Sequence, residues 1–162
     1  MRLIIAFAII LAFPLILRTA EKPATAQKFC VPKLGFCLYY DETVMADAVS
    51  LPDQNGARLP ALAAGIEGEL TARVDALQTR FEQMYITYIS DLESTYGTTV
   101  DELKSVITDD YFYVEVEVEE QRLYLQCWRK GDRLVQVKLQ APRSVNEDSW
   151  ILATRELQVV FR

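Results

Sequence analysis

Residues 112–119 alternate with a period of two: Phe112, Val114, Val116 and Val118 are apolar, and Tyr113, Glu115, Glu117 and Glu119 stand between them. Successive side chains of a strand point to opposite faces, so a β-strand gathers these four apolar residues on one side, which a helix cannot do. This run constrains the fold more than any other. A strand of this kind needs neighbours to pair with and a layer to cover its apolar face.

The neighbours follow directly. Leu123, Leu125 and Cys127 continue in phase as a second strand. A two-residue turn at Glu120–Gln121 sets Val118 opposite Leu123 and Val114 opposite Cys127, with both apolar sets on one side. Val135, Val137 and Leu139 form a third strand. A three-residue loop, Lys130-Gly131-Asp132, is expected before it, because that loop opposes Cys127 to Val135. A two-residue loop at Gly131–Asp132 opposes Cys127 to Gln136 and throws the faces out of step. After a polar connection, Ile151, Ala153, Leu157, Val159 and Phe161 read as a fourth strand, with Arg155 marking a bulge or a strand end.

The covering layer is expected upstream. Leu62, Ile66, Leu70, Val74, Leu77, Phe81, Met84, Tyr88 and Leu92 recur at steps of three and four, the mark of an amphipathic helix. Gly97 supplies a left-handed stop, and Thr99 with Glu102 reads as a capping box for a short second helix through about Ile107. The expected fold class is α+β, a long amphipathic helix plus a short helix packed on a four-stranded antiparallel meander. A helix over 62–92 is about 46 Å long against roughly 27 Å for an eight-residue strand, so part of it overhangs the sheet.

The first residues set the compartment. Met1–Arg2 precede fifteen uncharged residues, Leu3 to Leu17, a helix of about 22 Å against a hydrocarbon layer of roughly 30 Å. Pro14 and Ala24-Thr25-Ala26 resemble the helix break and cleavage site of a secretory signal, with cleavage between Ala26 and Gln27. Arg18 and Lys22 follow the apolar run and weaken the charge bias, which leaves a retained inner-membrane anchor as the alternative. The chain then divides into 1–26 (signal peptide or anchor), 27–60 (an irregular arm rich in Pro, Gly and aromatic residues) and 61–162 (the α+β domain). An extracytoplasmic location, the bacterial periplasm, is expected. Cys30 and Cys37, with Pro32 and Gly35 between them, read as a disulfide staple in that oxidising compartment, and Cys127 faces the core.

Composition removes several functions. Taking away residues 1–26 removes three basic residues and one acidic one, so the net charge moves from −6 to −8, and no nucleic-acid partner is expected of so acidic a domain. The chain has no histidine, which excludes histidine triads and histidine metal sites. Asp109 and Asp110 are adjacent, point to opposite faces of an extended chain, and read as helix punctuation. Glu115, Glu117 and Glu119 lie about 7 Å apart along one strand and lack the loop geometry of a calcium site. No cofactor and no metal are expected.

The solvent-side rows of the sheet carry the candidate site. In the register above Tyr113, Trp128 and Leu134 lie side by side, Glu117, Tyr124 and Lys138 form the next row, and Trp150 joins from the last strand. The candidate binding face is therefore Tyr113, Tyr124, Trp128, Leu134 and Trp150, unless the aromatic arm Phe29–Tyr40 folds over it. The implied function is a non-enzymatic accessory or protein-binding domain of the cell envelope, as a subunit of a membrane-associated complex where the apolar segment is kept. Its alternatives are a small-molecule or glycan-binding domain and a carboxylate-dependent hydrolase. An enclosed apolar pocket marks a ligand domain, and an exposed aromatic surface marks a protein-binding one.

Overall fold

A computed structural model describes residues 26–52, 55–60 and 65–162. The apolar segment and its cleavage site up to residue 25 lie outside the described residues. Among those described, no helix is long and apolar enough to cross a membrane.

The chain is α+β, built on two antiparallel sheets of three and seven strands. Its elements are β1 (Ala26–Val31), β2 (Phe36–Asp41), β3 (Val49–Ser50), β4 (Gly56–Leu59), β5 (Glu67–Val74), α1 (Phe81–Tyr96), β6 (Asp101–Ile107), β7 (Tyr111–Val118), β8 (Gln121–Lys130), β9 (Arg133–Pro142), α2 (Glu147–Arg155) and β10 (Gln158–Phe161). The smaller sheet has the order β1-β2-β10 and the larger one β3-β4-β5-β9-β8-β7-β6.

The alternating strand and its two successors form as the sequence indicates, but their registers differ. The β7–β8 turn is Glu119–Glu120, one residue earlier than expected, so Val116 faces Leu123 and Phe112 faces Cys127. Glu119 takes the left-handed conformation at φ 51°, which two-residue hairpin turns require. A shift of one turn residue moves each pairing by two positions, so the apolar residues stay on their face.

The β8–β9 hairpin uses the two-residue loop Gly131–Asp132, and Cys127 does face Gln136. The expectation of a three-residue loop assumed that one face of the sheet meets water. Both faces are covered instead. Leu123, Leu125 and Cys127 pack with Phe112, Val114, Val116, Val118 and Leu134 beneath α1. Val135, Val137, Leu139 and Tyr124 lie on the opposite face with Leu70, Ala72, Phe36, Leu38, Tyr40 and Trp150. Residues 123–127 are accordingly buried without interruption, the mark of a strand enclosed on two sides. Each large apolar side chain so enclosed contributes about 1.5–3 kcal/mol relative to exposure.

The long helix over 62–92 is replaced by β5 and the shorter α1. Residues 67–74 satisfy both periods, since Ile66, Leu70 and Val74 repeat every four while Leu70 and Ala72 alternate with Glu69, Thr71 and Arg73. Gly65 and Gly68 disfavour the helix, and pairing with β9 settles the strand. Gly68 also fits a close approach, because a Cβ there would stand 2.8 Å from Leu139 and 2.9 Å from Leu59. The turn into α1 is pinned by Arg129, whose guanidinium pairs with Asp75 at 3.0 Å and lies over the Phe81 ring at 4.5 Å. Gly97 ends α1 in the left-handed conformation at φ 67°, with its N–H on the Glu93 carbonyl.

The second helix expected after Thr99 is strand β6. Glu102 makes no capping box: it accepts from the Tyr85 hydroxyl and, at 2.7 Å, from Ser105. Ser105, Val106 and Ile107 extend the sheet along the free side of β7. The fourth strand of the expected meander is α2 followed by β10, and Arg155 is the last residue of the helix. Asn146 caps α2 by accepting from the Ser149 N–H at 3.0 Å, and Trp150 and Ala153 form its buried face at three-residue spacing, with Leu157 buried just beyond its end.

The arm expected over 27–60 is ordered as β1 to β4. β1 and β2 form a hairpin in which Cys30 and Cys37 are direct partners and form a disulfide, with Cα atoms 4.0 Å apart. Cys127 is free and buried, and burial pushes its thiol up to about 12. Maleimide labelling of the native full chain at pH 8 without reductant should therefore modify no cysteine. Unfolding should release one thiol and added reductant three; two reactive thiols before reduction would rule the disulfide out.

Candidate functional site

The five side chains assigned to one open face are distributed over three environments. Leu134 is 1% exposed and lies beneath α1, on the opposite face from the others. The two-residue β8–β9 loop puts it there. Trp128 is half-buried and packs against the core shared with the smaller sheet. Tyr113, Tyr124 and Trp150 converge on one cleft of about 540 Å³ between α2 and the strands β6, β7 and β8. The aromatic hairpin does cover part of the expected face, since Phe36, Leu38 and Tyr40 share the core with Tyr124.

The floor of the cleft is Tyr124, 5% exposed, stacked on Tyr113 with ring centroids 5.8 Å apart. Its hydroxyl donates to Gln126 Oε1 at 2.7 Å. Burial, then the neighbouring Tyr113 and Glu115, raise its pKa far above the ordinary phenol value. It is a neutral, fixed ring throughout the physiological range. Tyr111, two residues from Tyr113 on the same face of β7, extends the aromatic wall.

A polar brace closes one side. Glu115 is nearly buried and accepts from Trp150 Nε1 at 2.6 Å and from Arg122 at 2.6 and 2.8 Å. The same guanidinium reaches Glu147 in the first turn of α2 and lies over the Trp150 ring at 5.3 Å. Burial opposes the charge on Arg122, but hydrogen bonds to Glu147 and Glu115 outweigh it and hold its pKa above the ordinary value. The brace ties α2 to β7 and β8 and fixes the rim of the cleft. Glu117 pairs separately with Arg143 at 2.8 Å.

The opposite rim is Lys104, whose ammonium sits 5.7 Å from the Tyr113 ring centroid. A bulge between Glu102 and Lys104 shifts the β6 register and sets Lys104 opposite Glu115, on the cleft face. The sequence offers no signal for that bulge. Tyr111, which precedes the alternating run from Phe112, and Glu147, in the polar connection, also escape sequence reasoning. Arg122 is partly legible, because the hairpin brings it near the glutamates of β7, where its partner is Glu115.

A second, smaller cleft of about 410 Å³ lies between the end of α1 and the strands β4, β5 and β9. Tyr88, Leu92 and Tyr96 form its wall, and Arg58, Glu69 and Lys138 face one another across its floor. No group of three metal-ligating side chains occurs among the described residues.

The sequence matches no family model, and no curated protein is similar to it in sequence. In structure the chain is similar to cyanobacterial PsbP (CyanoP) from Synechocystis sp. PCC 6803, solved in solution. The TM-score is 0.57 at 12% identity, over 85% of this chain and 94% of that one. At that identity the likeness is one of overall fold.

Two outcomes follow from the brace. Arg122→Met leaves Glu115 without its charged partner and should lower stability by about 1–3 kcal/mol, read by urea unfolding; an unchanged midpoint would show the brace to be inert. The hydrogen bond from Arg122 holds the Glu147 carboxyl below its ordinary 4.5. Its contribution is complete above that value and is lost as pH falls through the lower folded-state pKa. Trp150 indole fluorescence should therefore change in the acid range below about 4.5, and Glu147→Gln should remove the step at every pH.

Proposed function

We propose that this protein is a non-enzymatic accessory protein of the cell envelope that holds a protein partner in the cleft between α2 and β6–β8. The observation carrying this reading is an open groove with a fixed aromatic floor and a braced rim. Tyr124 and Trp150 are immobilised by packing and hydrogen bonds, while Tyr111 and Tyr113 are only partly buried. Rigid aromatic side chains at a desolvated centre with polar groups around them are the usual anchors of protein interfaces. An enclosed apolar pocket, the feature expected of a small-molecule domain, is not among the described clefts, both of which are partly open to solvent and lined by polar as well as apolar groups.

Placement outside the cytoplasm rests on the apolar segment 3–17 and on the Cys30–Cys37 disulfide, which persists in oxidising compartments. PsbP-like architecture suits an accessory role beside a membrane complex, and a retained apolar segment supplies the means to stay there. Nothing in the cleft assembles a nucleophile, a base and an orienting group, so its carboxylates Glu115 and Glu147 serve the brace.

A photo-crosslinking residue placed at Tyr113 in the full chain, and separately at Leu77 on a distant exposed turn, tests the assignment in native envelopes. A discrete protein adduct from position 113 and none from position 77 is the expected result. No protein adduct from position 113, with glycan retained on the chain in its place, would refute the reading.

A further inference from the structure

The charges lining the cleft are unequally committed. Arg122 is shared between Glu115 and Glu147, and Arg155 is paired with its neighbour Glu156 at 2.9 Å. Lys104 has no ion-pair partner among the described residues; its ammonium meets the face of Tyr113. Register alone places Lys104 opposite Glu115, but Arg122 and the Trp150 indole already occupy that carboxylate. The cleft thus presents one unneutralised cation beside two partly buried aromatic rings, on a chain whose net charge is −6.

We infer that the partner segment entering this cleft is acidic, an extended stretch of protein that sets a carboxylate beside Lys104 and an apolar or aromatic side chain against Tyr111 and Tyr113. The inference rests on the protein-binding reading above and adds the chemistry of the partner. A carboxylate reaching Lys104 completes the pairing that the brace denies it, next to a ring that already favours the ammonium. The remaining cations of the cleft are balanced by Glu115, Glu147 and Glu156, so a dense polyanion would meet repulsion where a single carboxylate meets attraction.

Two fluorescein-labelled peptides, identical except for Glu-Tyr-Glu in one and Gln-Tyr-Gln in the other, test the inference by anisotropy against the full chain in neutral detergent. The acidic peptide should bind roughly tenfold or more tightly than the neutral one. Lys104→Gln should abolish the difference, Lys104→Arg should keep it, and Lys138→Gln in the second cleft should leave it unchanged. Each variant is checked by circular dichroism, and the exposed position of Lys104 keeps the fold independent of it. Equal binding of the two peptides, an acid preference that survives Lys104→Gln, or no binding of either overturns the acidic assignment. Equal binding that Tyr113→Ala abolishes would leave the protein-binding reading standing. Binding of an oligosaccharide in the same assay, with neither peptide bound, would overturn both.

Discussion

Burial of both faces of β8 governs the rest of this structure. A strand covered on one side tolerates only the register that aligns its apolar residues with those of its neighbours. A strand covered on both sides is freed from that rule, because Tyr124, Gln126 and Trp128 can align with Leu139, Val137 and Val135 while Leu123, Leu125 and Cys127 align with β7. The tight Gly131–Asp132 turn is permitted for this reason. It distributes the apolar residues of β9 and β8 between two cores, and each core then needs its own cover. α1 supplies one cover, and the smaller sheet with α2 supplies the other.

The cleft follows from how the second cover ends. The hairpin of β1 and β2, joined by β10, packs over β5 and β9, and α2 continues that layer toward β8 without reaching across β7 and β6. The outer strands therefore keep Tyr111, Tyr113 and Lys104 half-open on the same face where Tyr124 and Trp150 are sealed. Arg122 binds the edge of the layer to the sheet by holding one carboxylate from each, Glu115 below and Glu147 above. Removal of that guanidinium would expose a nearly buried carboxylate and loosen the helix from which the rim is built. The site and the stability of the layer are consequently the same set of bonds.

The local elements with a single dominant period were legible in the sequence. The strands at 112–118 and 123–127, the stop at Gly97 and the pairing of Cys30 with Cys37 all depend on neighbouring residues. Features set by distant partners were not. Residues 67–74 fit a helix and a strand equally, and the choice falls to β9, whose paired residues lie 59 (Val74↔Arg133) to 73 (Glu67↔Gln140) positions further along the chain. Ile151 and Ala153 carry the alternating pattern of a strand only when read with Leu157, Val159 and Phe161; Ala153 with Trp150 makes a helical face, and the Asn146 cap decides between them. The candidate site was legible as a set of aromatic residues and not as a surface. Tyr113, Tyr124 and Trp150 converge, whereas Leu134 crosses to the other face because of one residue in a turn.

The bulge in β6 has a consequence beyond the direction of one side chain. β6 is the outermost strand of the seven-stranded sheet, where a regular strand offers free backbone amides and carbonyls to any passing chain. An extra residue at Leu103 breaks the repeat of that ladder, and the charges of Asp101, Glu102 and Lys104 crowd the break. At the far side of the sheet, β3 is only two residues long, too short to template a partner strand. Neither margin of the seven-stranded sheet therefore offers the long, regular edge on which a second chain could extend it, even though the aromatic groove beside β6 stays open.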